Sequence, residues 1–350
     1  MRLPPNYRYD AETRGDQRYY SVFDDAGAMR QDVGETVFVE RALLWVETET
    51  YNFLFPPLQG LQYVPIDNSM PEGAKGTAYK QYTRTGIAKL VTERGGDLPT
   101  SKIFVKEFQH QAYRLGMSYE YTLDDLLAAQ FSAQNGGPAL NIDMEQAQAA
   151  KEGIAKGLDA VAGVGSATSA TIPGLSVGIG PDVGMLGLLN QPNASLYTPA
   201  TGAQGSTQWL FKTPDEKVAD IVGQFGAMEA GTYKVFVPDS FLLPISQYRG
   251  AASSRMGDGS DETVISLIKT KMLPGISIES WQYCQGAGSG GTDRCVAYIN
   301  NKRYVKHMIS QMFRQMPPQY EDLTFSVDCV AKTAGVFSPY PLSISYMDSI

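Results

Sequence analysis

The chain has 350 residues, of which 43% are hydrophobic, and it contains 35 glycines and 20 prolines. The apolar content suffices for one large core or two smaller ones and excludes disorder throughout, while the many glycines and prolines predict short elements of mixed α and β class. The net charge of −8 comes without a basic stripe, which excludes tight electrostatic binding of nucleic acid but not the enclosure of DNA.

The sequence predicts no targeting signal and no membrane span. Its first twenty residues lack an apolar core, so we expect no secretory signal. The longest uncharged stretch, between Asp159 and Asp182, is rich in Gly, Ser and Thr and is broken by Pro173, so it would span a bilayer poorly. We therefore expect a soluble protein made in the cytoplasm.

Cysteine usage is typical of a reduced compartment. The chain has three cysteines, Cys284, Cys295 and Cys329, an odd number without metal-type spacing. A glycine-rich segment that we interpret as a hairpin turn separates Cys284 from Cys295, so a disulfide between these two stays open at this point.

Residues 1–62 are predicted to form an N-terminal arm and a first helix. Residues 1–35 mix aromatic and charged side chains without periodicity, so an extended arm ordered by its partners is expected. From Glu35 to Phe53 apolar residues recur with helical spacing, and Pro56-Pro57 must end that helix.

Residues 63–100 are predicted to form a long two-stranded arm. Val64–Ile66 and Ala78–Val91 have the composition of strands, and turn residues lie between them. The segment Pro65–Pro99 has too few apolar residues to bury itself, and an isolated hairpin is marginal in water. An ordered arm of this kind implies a surface supplied by a neighbouring subunit, so we expect self-assembly.

Five side chains of this arm are candidates for contacts between subunits: Lys75, Tyr79, Lys80, Tyr82 and Arg84. Alternating cations and aromatic rings also fit a strip that stacks nucleic acid bases, but nearby glutamates and the negative net charge favour a rim that pairs with acidic groups on other subunits. Glycines near the ends of the arm are predicted to act as hinges: Gly60, Gly95 and Gly96.

The next region, residues 101–230, is predicted to contain strands and two well-defined helices. Strands are expected between Ile103 and Tyr121, followed by a helix that Thr122 caps. From Ile142 to Ala162 small and apolar residues recur every three or four positions, which predicts a helix roughly 30 Å long. After a loop-rich stretch, Thr213-Pro214-Asp215-Glu216 has the pattern of a capping box with proline at the first helical position.

The rest of the chain, residues 231–321 and 322–350, alternates further strands and helices. We expect a buried strand at Tyr233–Val237 and a helix that starts after Ser260 and ends at Pro274-Gly275. Further strands are predicted at four places, namely Ile276–Tyr283, Cys295–Asn300, Leu323–Ala331 and Leu342–Tyr346. The fold class predicted from these elements is α+β.

Enzymatic motifs lack the structural context that they need. Ser176 lies in a G-x-S-x-G pattern, as in a hydrolase nucleophile, but the surrounding sequence predicts loop instead of strand and helix. Gly286, Gly288 and Gly291 satisfy G-x-G-x-x-G, yet no helix follows to point its amides at a pyrophosphate, so a hairpin tip is expected. A hydrolase that uses Ser176 stays the third functional hypothesis.

Neither histidines nor acidic clusters predict a catalytic or metal site. His110 and His307 are far apart in sequence and are expected to be structural or surface residues. The carboxylates of Asp124, Asp125, Asp261 and Glu262 are expected in first helical turns, where they favour the helix dipole. No cofactor is expected.

The order of motifs along the chain resembles that of the major capsid proteins of tailed bacteriophages, which share the Hong Kong 97-type fold. The resemblance covers nearly everything after residue 36. It rests on AKLVTERGGDLP followed by GMSYEYTLDDLLAAQ, on a long helix ending in GLDAVAGVG, on GLLNQPN, and on the closing GVFSPYPLSISYMDSI.

This resemblance implies an N-terminal arm (1–62), an extended loop (63–100), a peripheral domain (101–230) with a spine helix near 142–162, an axial domain (231–321) and returning C-terminal strands (322–350). It implies pentamers and hexamers that enclose double-stranded DNA in a virion, with portal, scaffold and possibly decoration proteins as partners, assembled in a bacterial cytoplasm. The alternative is an encapsulin-like nanocompartment shell that encloses enzymes.

Overall fold

A computed structural model of the chain describes residues 57–90, 99–134, 142–166, 183–257 and 261–350. The predicted arm at 1–35 and the helix at Glu35–Phe53 lie outside the described residues. The helices described are α1 (Gly60–Tyr63), α2 (Leu123–Gln134), α3 (Ile142–Val164), α4 (Pro214–Gly231), α5 (Ile245–Ser253) and α6 (Val264–Leu267).

Twelve strands are described. They are β1 (Ile66–Asp67), β2 (Gly76–Thr85), β3 (Lys102–Gln111), β4 (Tyr113–Thr122), β5 (Ser195–Tyr197), β6 (Ser240–Leu243), β7 (Ser277–Ser280), β8 (Arg294–Tyr298), β9 (Lys306–Gln315), β10 (Gln319–Glu321), β11 (Thr324–Phe337) and β12 (Ile344–Asp348). A first sheet has the order β1-β9-β11-β10, and β4 also pairs with β11. A second sheet has the order β5-β12-β8-β6-β7, and β2 with β3 forms a separate hairpin. The α+β class is confirmed.

The first sheet packs on the long helix α3. Its stripe of small and branched residues faces the sheet, where Ala150, Ile154 and Leu158 are buried in one cluster with Ile309 and Val327. An apolar stripe with helical spacing is typical of a helix face that packs on a core, and this stripe does so. Its small residues let the helix approach the strands closely. The helix ends at Val164, two residues beyond the predicted Ala162.

The second sheet packs on α4 and α6. The predicted capping box is present at the start of α4, where the Glu216 amide donates to Thr213 Oγ1 and the Thr213 amide donates to Glu216 Oε2. Ile221 on α4, Phe241 on β6 and Ile268 after α6 are buried together. A third core joins the two sheets, because Val336 of β11 and Ala160 of α3 are buried together with Val296 of β8 and Ile344 of β12.

A buried ion pair fixes the segment before α4. Lys212 Nζ lies 2.6 Å from Asp220 Oδ2, and the indole Nε1 of Trp209 donates to the same oxygen at 2.9 Å. Both charged side chains are almost fully buried. Burial raises the pKa of the Asp220 carboxyl, and the hydrogen bond from Lys212 partly offsets that rise.

Several strand and helix boundaries differ from the sequence predictions; the predicted strand Leu323–Ala331, for example, continues to Phe337 in β11. The predicted strand Tyr233–Val237 is wrong, because Tyr233 and Lys234 take positive φ values of 51° and 64°, and the buried strand is Ser240–Leu243 instead. Thr263 caps α6 by accepting from the Ser266 amide, so Asp261 and Glu262 precede the helix and are not in its first turn. Ser260 lies outside the described residues.

The glycine-rich segment after Cys284 is not a hairpin turn, which corrects a further prediction. β7 and β8 flank it, but each of them pairs with β6 and not with the other. Cys284 and Cys295 are buried and free, so the possible disulfide is absent. Burial also raises the pKa of both thiols, which keeps them protonated.

Breaking the buried ion pair should destabilise the subunit. Asp220→Asn leaves the Lys212 ammonium buried without a countercharge, which costs about 3–5 kcal/mol. The double variant Lys212→Met/Asp220→Asn removes that charge and should be less destabilised than Asp220→Asn alone. Denaturant unfolding of unassembled subunits measures both, and equal stability of the two variants would contradict this account.

Candidate assembly surface

The projecting hairpin consists of β2 and β3, paired antiparallel from Gly76 opposite Gln111 to Thr85 opposite Lys102. The predicted pairing of Val64–Ile66 with Ala78–Val91 is therefore wrong. Ile66 and Asp67 instead pair in parallel with His307 and Met308 at the edge of the first sheet. The arm also continues beyond the predicted limit at residue 100, because its return strand ends at Gln111.

The register divides the candidate contact residues between the two faces of the hairpin. Alternate residues of a strand share a face, so Lys80, Tyr82 and Arg84 lie together with Ile103 and Val105. We call this the outer face; Glu107, opposite Lys80, completes it. Tyr79 lies on the opposite, inner face, next to Phe108.

The inner face is held against the chain's own body at the root of the hairpin. The Tyr79 ring stacks on Phe108 at 5.2 Å and on Phe337 of β11 at 5.3 Å between centroids. His110 lies 5.4 Å from the same Phe337 ring, and burial lowers its pKa. Tyr79 thus anchors the hairpin within its own subunit, which leaves it less suited to contacts with a neighbour.

A buried lysine clamps the segment that leads into the hairpin. Lys332 of β11 donates to the carbonyl oxygens of Glu72 at 2.7 Å and Ala74 at 2.6 Å, and its side chain is buried. Just before this segment, Lys306 Nζ lies 2.6 Å from Asp67 Oδ2. Burial tends to raise the pKa of Asp67, but hydrogen bonds from Lys306 and Ser69 outweigh it and lower the pKa. Lys75 itself is exposed at this root.

Beyond the root, the hairpin exposes apolar side chains that the subunit does not cover. Tyr82 and Ile103 are each 62% exposed and Val105 is 52% exposed, all on the outer face. Phe104 on the inner face is also exposed. Contiguous exposed apolar surface of this kind is typical of an interaction site. Lys80 and Arg84 lie on the same face and are exposed to solvent.

Gly60 lies in a fixed contact, which is at odds with its predicted role as a hinge. It is buried, and its amide donates to Asp159 Oδ1 of α3 at 2.5 Å. A Cβ at this position would lie 2.8 Å from that same oxygen, so only glycine fits. The other two predicted hinges, Gly95 and Gly96, lie outside the described residues.

Asp159 is a buried carboxylate with an unusual pKa. Burial raises its pKa from 3.8 to about 6, and the hydrogen bond from the Gly60 amide lowers it only in part. Tyr283 lies beside it, but its hydroxyl and Asp159 Oδ2 do not meet hydrogen-bond geometry. The contact between Gly60 of α1 and Asp159 of α3 therefore carries a charge that depends on pH.

The residues weighed as catalytic or ligand sites are held in structural contacts. The Gly286 and Ser289 amides donate to the chain's own carboxylates, Asp293 Oδ1 and Asp348 Oδ2, so they do not form an open phosphate cradle. His307 is buried beside Thr333 Oγ1, and burial lowers its pKa to about 3. Asp124 and Asp125 do lie in the first turn of α2, as predicted. Ser176 lies outside the described residues.

In the described parts of the chain, no group of three or more His, Cys, Asp or Glu side chains is placed to hold a metal ion. No helix there is both long and apolar enough to cross a bilayer.

Comparison with known families identifies the family of the chain. A family model described as "Major capsid protein" matches residues 86–350. The chain belongs to the major capsid protein family. It is therefore a structural protein that assembles into a shell and is a component of the virion; it is not an enzyme.

Solved structures agree with this family in fold. The capsid of Myoviridae phage XM1 is similar with a TM-score of 0.73 and 17% identity, over 89% of this chain and 98% of that one. The capsid of a native GTA particle gives 0.57 and 13%, over 88% and 95%. A structure from Mycobacterium phage Ogopogo gives 0.56 and 11%, over 89% and 98%. No curated protein matches the sequence.

Removing the lysine clamp should loosen the root of the hairpin. Lys332→Met keeps the length of the side chain but leaves the Glu72 and Ala74 carbonyls without their donor, and hydrogen bonds from charged groups contribute about 1.5–3 kcal/mol each. We expect faster amide exchange at residues 72–80 and at 106–112. Lys332→Arg, which keeps the charge and the donors, is the control. Unchanged exchange in Lys332→Met would contradict the clamp.

Asp159 should make stability depend on pH with a defined sign. Because folding raises the pKa of the Asp159 carboxyl, its charged form lowers the free energy of unfolding above about pH 6. This loss of stability is relieved as the pH falls from 6 towards 4. A rise from 3.8 to about 6 corresponds to about 3 kcal/mol.

Asp159→Asn keeps an acceptor for the Gly60 amide and removes the titration. Unassembled subunits of this variant should be more stable than the parent at pH 7.5, and the difference should vanish near pH 4. Denaturant midpoints across this range measure it; a variant with the parent's pH slope would show that Asp159 is not the titrating group.

Proposed function

We propose that the chain forms pentamers and hexamers of an icosahedral head, in which each hairpin lies across a neighbouring subunit. The observation that supports this most directly is the hairpin itself, whose root is fixed to its own subunit while Tyr82, Ile103 and Val105 stay exposed. Many weak contacts of this kind suffice in a closed shell, because each subunit is held by several at once.

The proposed content of the shell is double-stranded DNA, held without sequence-specific contacts. The net charge of −8 supports this, because a container for densely packed DNA gains nothing from gripping phosphates strongly. A portal and a scaffold, with decoration proteins on some heads, would complete the particle, and assembly would take place in the bacterial cytoplasm.

In this proposal α3 is the spine of a peripheral domain that includes β4 within the predicted residues 101–230, and the first sheet of that domain is completed by β1, β9, β10 and β11 from other parts of the chain. The second sheet and its helices include most of an axial domain (231–321), and the C-terminal strands β11 and β12 tie the two together, since each belongs to a different sheet. The extended loop comprises the predicted residues 63–100 and, from the observed pairing, the return strand as far as Gln111.

The alternative, a nanocompartment shell around enzymes, would use the same kind of subunit. No contact among the described residues favours it specifically. Purified particles separate the two proposals, because the absorbance ratio at 260 and 280 nm and nuclease-protected DNA report a genome, whereas co-purified enzyme in DNA-free particles reports a compartment.

Removing the hairpin should abolish assembly without unfolding the subunit. Lys80 and Glu107 are paired just beyond the contact of Tyr79 with Phe337, so replacing residues 81–106 with Asn-Gly closes the gap with a two-residue turn and keeps that contact. We expect soluble subunits with cooperative unfolding close to that of the parent, but no particles by negative-stain microscopy. Particles at the parent's yield would contradict the proposed role of the hairpin.

A further inference from the structure

We propose that the outer face of the hairpin docks on an acidic and apolar patch at the far end of the first sheet of a second copy. We call this the sheet-end patch; it comprises Leu123, Leu127, Tyr320 and Leu323 with the acidic residues around them. The inference rests on the proposed function and deepens it, since it names the surface that receives the hairpin.

The sheet-end patch is a continuous surface where α2 begins and β10 turns into β11. The Leu123 amide donates to the Leu323 carbonyl at 3.0 Å, which joins the two segments. Tyr320 and Leu323 are each more than 60% exposed, and Leu127 is 53% exposed. The centroid of the Tyr320 ring lies 4.9 Å from that of the Phe325 ring, and Tyr320 still remains 63% exposed. Four large apolar side chains thus face water together in the lone subunit.

Carboxylates surround these apolar residues without any cation in the same segments. Residues 115–134 and 316–331 contain no lysine or arginine. They contribute Glu120, Asp124, Asp125, Glu321, Asp322 and Asp328. Hydrogen bonds from Thr122 lower the pKa of Asp125, so this carboxyl is charged at neutral pH. Asp124 and Glu321 form no ion pair within the described residues.

The hairpin carries the opposite charge. Its described residues include the bases Lys80, Arg84, Lys89, Lys102 and Lys106 and a single acid, Glu107. Lys80 and Arg84 flank Tyr82 on the outer face, so cations lie next to exposed apolar residues there. At the sheet-end patch, carboxylates lie next to exposed apolar residues in the same way. Such complementarity selects the partner and orients it, while apolar burial supplies most of the affinity.

The two surfaces of one chain lie at opposite ends of β11. The hairpin root stacks on Phe337, the last residue of β11, and the sheet-end patch begins at Thr324, the first. Fourteen residues of strand separate them by roughly 40 Å.

The chain does not double back between these ends. β3 leads into the root and β4 runs from the root to the patch, and only Ala112 separates β3 from β4, whereas a reversal needs at least two loop residues. A second copy must therefore bring the surfaces together. Contacts between two different surfaces join copies head to tail, and such contacts generate closed rings when the rotation closes.

Charge reversal tests the docking. Lys80→Glu/Arg84→Glu on the hairpin and Asp124→Lys/Glu321→Lys on the patch should each lower the assembled fraction at least about tenfold, since like charges then face each other. The four substitutions combined should restore assembly to within about threefold of the parent. Sedimentation and negative-stain microscopy measure the assembled fraction, after cooperative unfolding of each variant is verified.

The matched control for the hairpin reversal is Lys302→Glu/Arg303→Glu, which makes the same change in net charge as that reversal on an exposed turn between β8 and β9. It should assemble as the parent does. Normal assembly of the hairpin or patch reversals, or no recovery when they are combined, would overturn the inference. Normal shells that lose DNA in the hairpin reversal would assign these cations to nucleic acid and would also overturn it. Failure of the parent chain to form particles would instead reject the proposed function.

Disulfide trapping tests the same contact without altering its charges. When Tyr82→Cys subunits and Leu323→Cys subunits are mixed, assembled and oxidised, we expect disulfide-linked dimers that need both variants. Tyr82→Cys mixed with Lys302→Cys is the control and should give none. Absence of the Tyr82–Leu323 crosslink in assembled particles would contradict the docking.

Discussion

The structure depends on one hairpin, whose root is fixed to its own subunit while the apolar side chains of its outer face stay exposed. Lys332, buried in β11, and the ring of Phe337 hold the segment before β2 and the inner face near Tyr79. Because the root is fixed, the direction of the hairpin is set by its own subunit. In the proposed assembly, the exposed Tyr82, Ile103 and Val105 are then presented to other copies at a defined angle.

The rest of the subunit serves as a rigid support for that direction. The long helix α3 packs along β4 and β11, so the strand that carries Lys332 and Phe337 is backed by a continuous helix. Gly60 ties the chain just before β1 to the same helix through Asp159. These contacts hold Gly60 and the root of the hairpin in place, so any change in the angle of the hairpin must arise elsewhere. Gly95 and Gly96 remain predicted hinges.

Features with strong local signals could be predicted from the sequence. Three of them depend on patterns within a few turns or residues: the stripe of small residues on α3, the capping box at Thr213 and Glu216, and the first part of β11. The partner of β2 could not be found in this way, because a long connection separates β2 from β3 and pairing across it leaves no local signal. The sequence alone therefore favours pairing with the nearer segment Val64–Ile66, which is wrong.

The buried charges were missed at the sequence level although each has a weak signal. Lys332 lies between the buried residues Ala331 and Thr333 of β11, and Asp220 lies between buried positions of α4. A single charge within a buried pattern marks a polar contact, but it does not identify the partner. For Lys332 the partners are the main-chain carbonyls of Glu72 and Ala74, far away in the sequence, which no side-chain pattern encodes.

A cryo-EM map of assembled particles tests the central claim most directly. It should show the outer face of each hairpin, with Tyr82, Ile103 and Val105, buried against a different subunit, while the Lys332 and Phe337 contacts at the root stay intact. A map in which the outer face points into solvent or folds onto its own subunit would contradict the account.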